Sequence, residues 1–264
     1  MDNFIKRSLV GLAYAGVWSF TLLFHSPVPY LLFIACIAAI AAHEMLKLFH
    51  LSSPLLLLMM CMGTISLVVF NALMIYIAII SVVCQTLLAW SVLMRRSLPL
   101  QKPMMVYVIC LAHLLLPIAL MSEISTVEFP LLTSDLTFGV LFFIWGADAI
   151  AYSFGTLFGK TPLFRAVSPK KSVEGVVAAV VFSPLIAFVN GQIFPDHEIS
   201  FWLLLGLLIT STSIIGDLVQ SRFKRIAGVK DSGTFMWGHG GMYDRLDSLI
   251  FSIPFVYLYI FSFQ

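Results

Sequence analysis

From Leu55 to Met94 the chain runs for 40 residues without a single Asp, Glu, Lys or Arg. Crossing ~30 Å of hydrocarbon as an α-helix takes about 20 residues, so this stretch has the length of two spans, with a turn near Asn71. Apolar runs of similar character recur at about Ser8 to Phe24, Tyr30 to Phe49, Met104 to Met121, Thr137 to Phe158, Val176 to Asn190, Phe201 to Gln220 and Ser248 to Phe263. Composition agrees: 60% of residues are hydrophobic and 11% charged, with a mean hydropathy of +1.01. A soluble domain carries about 25% charge, so a soluble enzyme, a disordered chain and a nucleic-acid-binding domain are poor fits, and no nucleic-acid partner is expected. The alternating ~10-residue pattern of a membrane β-strand is missing. The expectation is an all-α, polytopic integral membrane protein of about nine transmembrane helices, a single membrane domain over residues 1–264.

The first run follows Lys6 and Arg7, as a secretory leader would. No small-x-small cleavage site follows it, only His25-Ser26-Pro27-Val28-Pro29, so it reads as a retained span. Cys36, Cys61, Cys84 and Cys110 all lie in apolar runs without a C-x-x-C spacing. They read as packing residues rather than zinc ligands or disulfides. Nine spans sort all 15 Lys and Arg residues to the side of the N-terminus and leave Glu123, Glu128, Asp135, Asp196 and Glu198 on the other. The positive-inside rule makes the basic side cytoplasmic and puts the C-terminus on the opposite face. No internal repeat points to an inverted-repeat transporter.

Chemistry-bearing residues crowd into one segment after the eighth run. Between Gly216 and Asp247 stand Asp217, Asp231, Asp244 and Asp247, the bases Arg222, Lys224, Arg225, Lys230 and Arg245, and Gly228, Gly233, Gly238, Gly240 and Gly241. Asp217 lies near the end of an apolar run, where an ionised carboxylate needs water or a cation as partner. If that helix continues past Gln220, Ser221, Lys224 and Gly228 fall on its face. Carboxylates on two helices, flanking a basic glycine-rich loop, suit a divalent cation bound to a polyphosphate: oxygen ligands hold the hard cation, while Lys, Arg and glycine N–H groups take phosphate oxygens. A basic loop against anionic lipid headgroups is the plainer alternative. The His239-Gly240-Gly241 turn and the paired acids favour the first.

A second patch lies on the same side. Asp148 sits well inside the sixth run, and Ser168-Pro169-Lys170-Lys171-Ser172-Val173-Glu174-Gly175 follows that run. Glu44 has Lys47 three residues on and reads as half of a local helix pair. His113, alone in the fifth run, reads as a packing histidine with its hydrogen bonds satisfied.

From Ser221 to Asp247 the chain resembles the signature of phosphatidate cytidylyltransferases, also called CDP-diacylglycerol synthases. Ser221, Lys224, Arg225, Lys230, Asp231, Gly233, His239, Gly240, Gly241, Asp244, Arg245 and Asp247 fall in register with it. The Ser168 to Gly175 segment, the Asp148 span and the order of spans look like the same family. One departure stands out: Met236 and Trp237 occupy positions before Gly238 where the family usually has an aliphatic residue and then Pro. Trp there frees φ and adds a large ring beside the turn, which bears on loop geometry and acceptor choice.

The resemblance implies Mg²⁺-dependent transfer of a cytidylyl group from CTP to phosphatidate, with a second cation left open, at a site built by residues 136–264, while residues 1–135 supply the N-terminal helices. It assigns Asp217 and Asp244 to the metal. Lys224, Arg225, Lys230 and Arg245 would neutralise phosphates, and Asp231, Asp247 and Asp148 would orient them. Ser221, His239, Gly240 and Gly241 would shape the triphosphate cradle. Ser168, Lys170, Lys171 and Glu174 would bind substrate, with the two lysines on the lipid phosphate. A homodimer embedded among membrane lipids is implied by the family alone. The alternatives are nucleotidyl transfer to another membrane lipid phosphate, a transporter or channel with Asp148 and Asp217 along an ion path, and an inactive paralogue.

Overall fold

The computed structural model describes residues 2–23, 27–51, 59–60, 73–98, 100–121, 134–235 and 240–262. Its helices are α1 (Asp2–Leu23), α2 (Pro27–Leu48), α3 (Met74–Leu93), α4 (Pro103–Met121), α5 (Ser134–Phe158), α6 (Val173–Ile193), α7 (Ile199–Ile226) and α8 (Asp247–Phe261). Six of them, α2 to α7, are long and apolar enough to cross a membrane, which fits an all-α integral membrane protein. The expected third span falls mostly outside the described residues. One element was not foreseen: Pro162–Phe164 (β1) and Ser168–Ser172 (β2) form a small antiparallel hairpin between α5 and α6.

The second half of the chain is a stack in which α5 packs along α6, α6 along α7 and α7 along α8. Helices in lipid gain little from apolar burial against one another, so close backbone approach and interhelical hydrogen bonds hold them. A Cβ at Gly206 of α7 would strike the Phe143 ring of α5, and one at Gly216 would lie 2.5 Å from Phe251 Cβ of α8. Buried polar links add to this. Asn190 Nδ2 donates to Gly139 O at 3.1 Å, and Thr212 Oγ1 to Ser252 Oγ at 2.8 Å. The outward faces of α3 and α6 present Ile79, Ile80, Leu87, Val181, Leu185 and Phe188 to the surroundings, as lipid-facing helices must.

Two irregularities set up the site. Helix α7 runs a turn and a half beyond Gln220, to Ile226, carrying its polar face out of the apolar run. Within α4, Cys110–Leu115 forms a π-helical stretch that contains His113. Such bulges disrupt the regular ladder and re-aim side chains.

Candidate active site

Asp217, Ser221 and Lys224 recur at i, i+4 and i+7 along α7, one face of the helix. Ser221 Oγ donates to Asp217 Oδ1 at 3.0 Å. Lys171, at the end of β2, forms an ion pair with the other oxygen of Asp217. The hairpin makes this possible. Ser172 Oγ caps α6 by accepting from Gly175 N, and Glu174 accepts from Lys160 N and Thr161 N, tying the hairpin's entry to its exit. Burial works against the Lys171 ammonium, but Asp217, Asp247 and Asp148 outweigh it and hold its pKa above the ordinary lysine value. Asp148 of α5 and Asp247 at the start of α8 therefore belong to the same group as Lys171 and Asp217. Ser248 Oγ reaches Asp148 Oδ2 at 3.5 Å.

The second group is the loop before α8. Lys224 Nζ meets Asp244 Oδ1 at 2.8 Å, with side chains only 12% and 7% exposed. Asp244 Oδ2 accepts from Ser232 N at 2.8 Å and from Gly241 N at 2.9 Å. Burial disfavours the charged form of Asp244, yet Lys224 and those backbone amides more than offset it, so its pKa lies below the usual carboxylate range. Gly240 has φ of +84°, a left-handed conformation in which an added Cβ would lie 2.5 Å from Asp244 Oδ2. Asp244 thus folds the loop around itself. Three of its roughly four lone-pair sites are already used, leaving one on Oδ1 for a cation.

A cavity of about 250 Å³ opens between α1, α5 and the start of α8. Asp148, Asp244, Arg245, Asp247 and Ser248 line its polar side, and Tyr14, Leu141 and Trp145 its apolar side. Both groups therefore border one space. The remaining expected residues lie further out. Arg225 donates to Val167 O and Val229 O and so braces the hairpin against the loop. Lys170, Lys230 and Asp231 are exposed, and Ser168 begins β2. Met236, Trp237, Gly238 and His239 lie outside the described residues. Among the described residues, no three His, Cys, Asp or Glu side chains form a ready metal cage.

Glu44 does not take the local role that its spacing from Lys47 suggests. From α2 it reaches the loop, accepting from Ser232 Oγ at 2.9 Å, Met242 N at 3.1 Å and Tyr243 N at 2.9 Å. His113 is satisfied, as expected, but by site-bearing partners: Gln85 Oε1 on Nδ1 at 2.6 Å and the Tyr243 hydroxyl on Nε2 at 3.2 Å. The sequence signal for Glu44 was its place as an ionisable residue in an apolar helix.

A membrane-embedded helical protein with an acid-and-lysine centre beneath a glycine-rich loop is thus defined. The chain belongs to the cytidylyltransferase family, whose family model matches residues 5–263. It is 41% identical over 128 residues to a phosphatidate cytidylyltransferase of Haemophilus influenzae, covering 46% of this chain and 44% of the relative. It is 45% identical over 113 residues to the phosphatidate cytidylyltransferase of Staphylococcus saprophyticus, covering 42% and 43%. Each match spans less than half of the relative's own length.

Proposed function

We propose that the protein transfers a cytidylyl group from CTP to phosphatidate, giving CDP-diacylglycerol and pyrophosphate. The observation that carries this reading is the cluster of Asp148, Lys171, Asp217 and Asp247 beside the Lys224–Asp244 loop. With its acids holding a divalent cation, such a set offers Lys171 and Lys224 to two anionic partners. A phosphatidate oxygen attacks the α-phosphorus of CTP, a P–O bond forms, and the bond to the β-phosphate's bridging oxygen breaks with its electron pair leaving on pyrophosphate. Phosphate is already a nucleophile at neutral pH, so positioning and charge neutralisation are the main demands. Lys171, held by Asp217 beside the exposed Lys170, suits the lipid phosphate; Lys224 and Arg245 suit the triphosphate.

The donor set fits Mg²⁺, which prefers one or two carboxylates plus substrate phosphates and water over an all-protein cage. Asp217 and the remaining lone pair of Asp244 would hold it, with Asp148 and Asp247 nearby. When bound it supplies charge neutralisation at the phosphates. Nine spans, a cytoplasmic N-terminus and active site, and a C-terminus on the far face complete the proposal, supported by the sorting of all 15 basic residues to one side. The homodimer rests on the family resemblance.

The test is a product assay on purified protein with labelled CTP, Mg²⁺ and phosphatidate, run beside an isoprenyl phosphate acceptor. CDP-diacylglycerol should form with wild type and vanish in Asp217→Asn, with the variant still extracted from the membrane fraction. Full activity in that variant, or labelling of the isoprenyl acceptor alone, refutes the proposal.

A further inference from the structure

Glu44 is 6% exposed, and its carboxylate accepts three hydrogen bonds from residues 188 to 199 positions away. All three donors lie in the segment that folds around Asp244: Ser232 through its hydroxyl, and Met242 and Tyr243 through their backbone N–H groups. The segment is shaped to admit this carboxylate. A Cβ at Gly233 would lie 2.5 Å from Glu44 Oε1, and a Cβ at Gly241 would collide with Glu44 Oε2 and Ser232 Oγ. Ser232 is shared between two acids, giving its N–H to Asp244 and its hydroxyl to Glu44. Displacing Glu44 would therefore disturb the donors that fix Asp244.

A second anchor holds the same point from the other helices. Gln85 Oε1 accepts from His113 Nδ1, so Nε2 of the neutral ring accepts from the Tyr243 hydroxyl. Gln220 Nε2 donates to the Tyr243 carbonyl. Tyr243 is thus held at its N–H, its carbonyl and its hydroxyl by α2, α7 and α4, with α3 fixing the ring of His113. Neutral donors on a buried carboxylate form stronger hydrogen bonds than neutral pairs do, so Glu44 is the firmest of these ties.

We infer that Glu44 is a positioning residue for nucleotide binding: from the N-terminal half of the chain it fixes Ser232, Met242 and Tyr243, and through them the Lys224–Asp244 pair that meets the triphosphate. The inference rests on the proposed function for the identity of the nucleotide, but not for the clamp itself.

Two measurements on the full-length protein in detergent separate these. Hydrogen exchange reads the clamp without substrate. In Glu44→Gln, which keeps the side chain's size but turns one oxygen into a donor facing donors, the Met242 and Tyr243 amides should lose protection. Steady-state kinetics read the consequence: KM for CTP should rise about tenfold, the scale of one disrupted charged hydrogen bond, while KM for phosphatidate stays within about twofold. A variant that merely folded less well would lose active fraction, lowering kcat with both KM values fixed. Lys47→Gln, one turn away on the exposed face, should leave both measurements at wild-type values. Ser232→Ala removes a single donor and should move both in the same direction by less, which keeps the test open if Glu44→Gln does not fold. Unchanged protection at Met242 and Tyr243, an unchanged KM for CTP, or the same effects from Lys47→Gln would overturn the inference. Wild-type protein that shows the protection but makes no CDP-diacylglycerol would sink the functional proposal and leave the clamp standing.

Discussion

The Lys224–Asp244 pair offers a quantitative test, because the two sides of the pair leave different debts behind when removed. Both side chains are nearly buried, at 12% and 7% exposure. Removing one partner of such a pair costs about 3–5 kcal/mol, since the other charge stays behind without compensation. Lys224→Met leaves Asp244 with the N–H groups of Ser232 and Gly241, so its cost belongs near the lower figure. Asp244→Asn leaves the Lys224 ammonium with only the Asp217 carboxylate for compensation and weakens both backbone bonds, so its cost belongs nearer the upper figure. In the double variant no lone charge remains, and the coupling between the two sites should reach about 2 kcal/mol. SDS titration of the protein in mixed micelles, followed by near-UV circular dichroism, gives the four stabilities of the cycle. Additivity within about 0.5 kcal/mol, or a larger loss in Lys224→Met than in Asp244→Asn, would refute the reasoning.

Acid should act through the same carboxylate. The folded pKa of Asp244 lies below its ordinary value, so its stabilisation is complete above the unfolded value of about 3.9 and is lost as pH falls through the lower folded value. Asp244→Asn should therefore flatten the acid limb of a stability–pH curve below about pH 4, and identical limbs would count against the pairing. The glycines separate crowding from backbone strain. Gly240→Ala and Gly241→Ala bring a methyl group onto the Asp244 and Glu44 carboxylates and should abolish the proposed cytidylyl transfer. Gly228, with φ of +73° and open space around it, should pay only the left-handed backbone cost of about 1 kcal/mol as Ala and keep near-wild-type turnover. Equal losses at all three positions would show that crowding is not the cause.

The membrane class was legible because lipid imposes a length and a polarity on each helix. The run from Thr137 to Phe158 and the helix Ser134–Phe158 nearly coincide for that reason. Helix α7 outran its apolar pattern by six residues, to Ile226, because its last turns are held by protein contacts rather than lipid: Phe223 is fully buried and Lys224 is paired. The hairpin was illegible for a related reason. Its five-residue second strand, Ser-Pro-Lys-Lys-Ser, has no strand pattern, and pairing with Pro162–Phe164 gives it its shape.

The site divides along the same line. Asp217, Ser221 and Lys224 could be placed on one face from helical spacing alone, and the structure brings Ser221 to Asp217 as that spacing requires. Spacing also suggested a Glu44–Lys47 pair, and there it misled. An i, i+3 pair on an exposed helix surface is worth only a few tenths of a kcal/mol, too little to hold a carboxylate that can instead satisfy three donors in a buried loop. Those donors lie nearly 200 residues away, and two are backbone N–H groups that no side-chain pattern records. What distinguishes Glu44 in the sequence is only that an acid stands in an apolar helix. In a membrane protein that fact outranks the nearest opposite charge, because a carboxylate out of water is retained only where something beyond its own helix needs it.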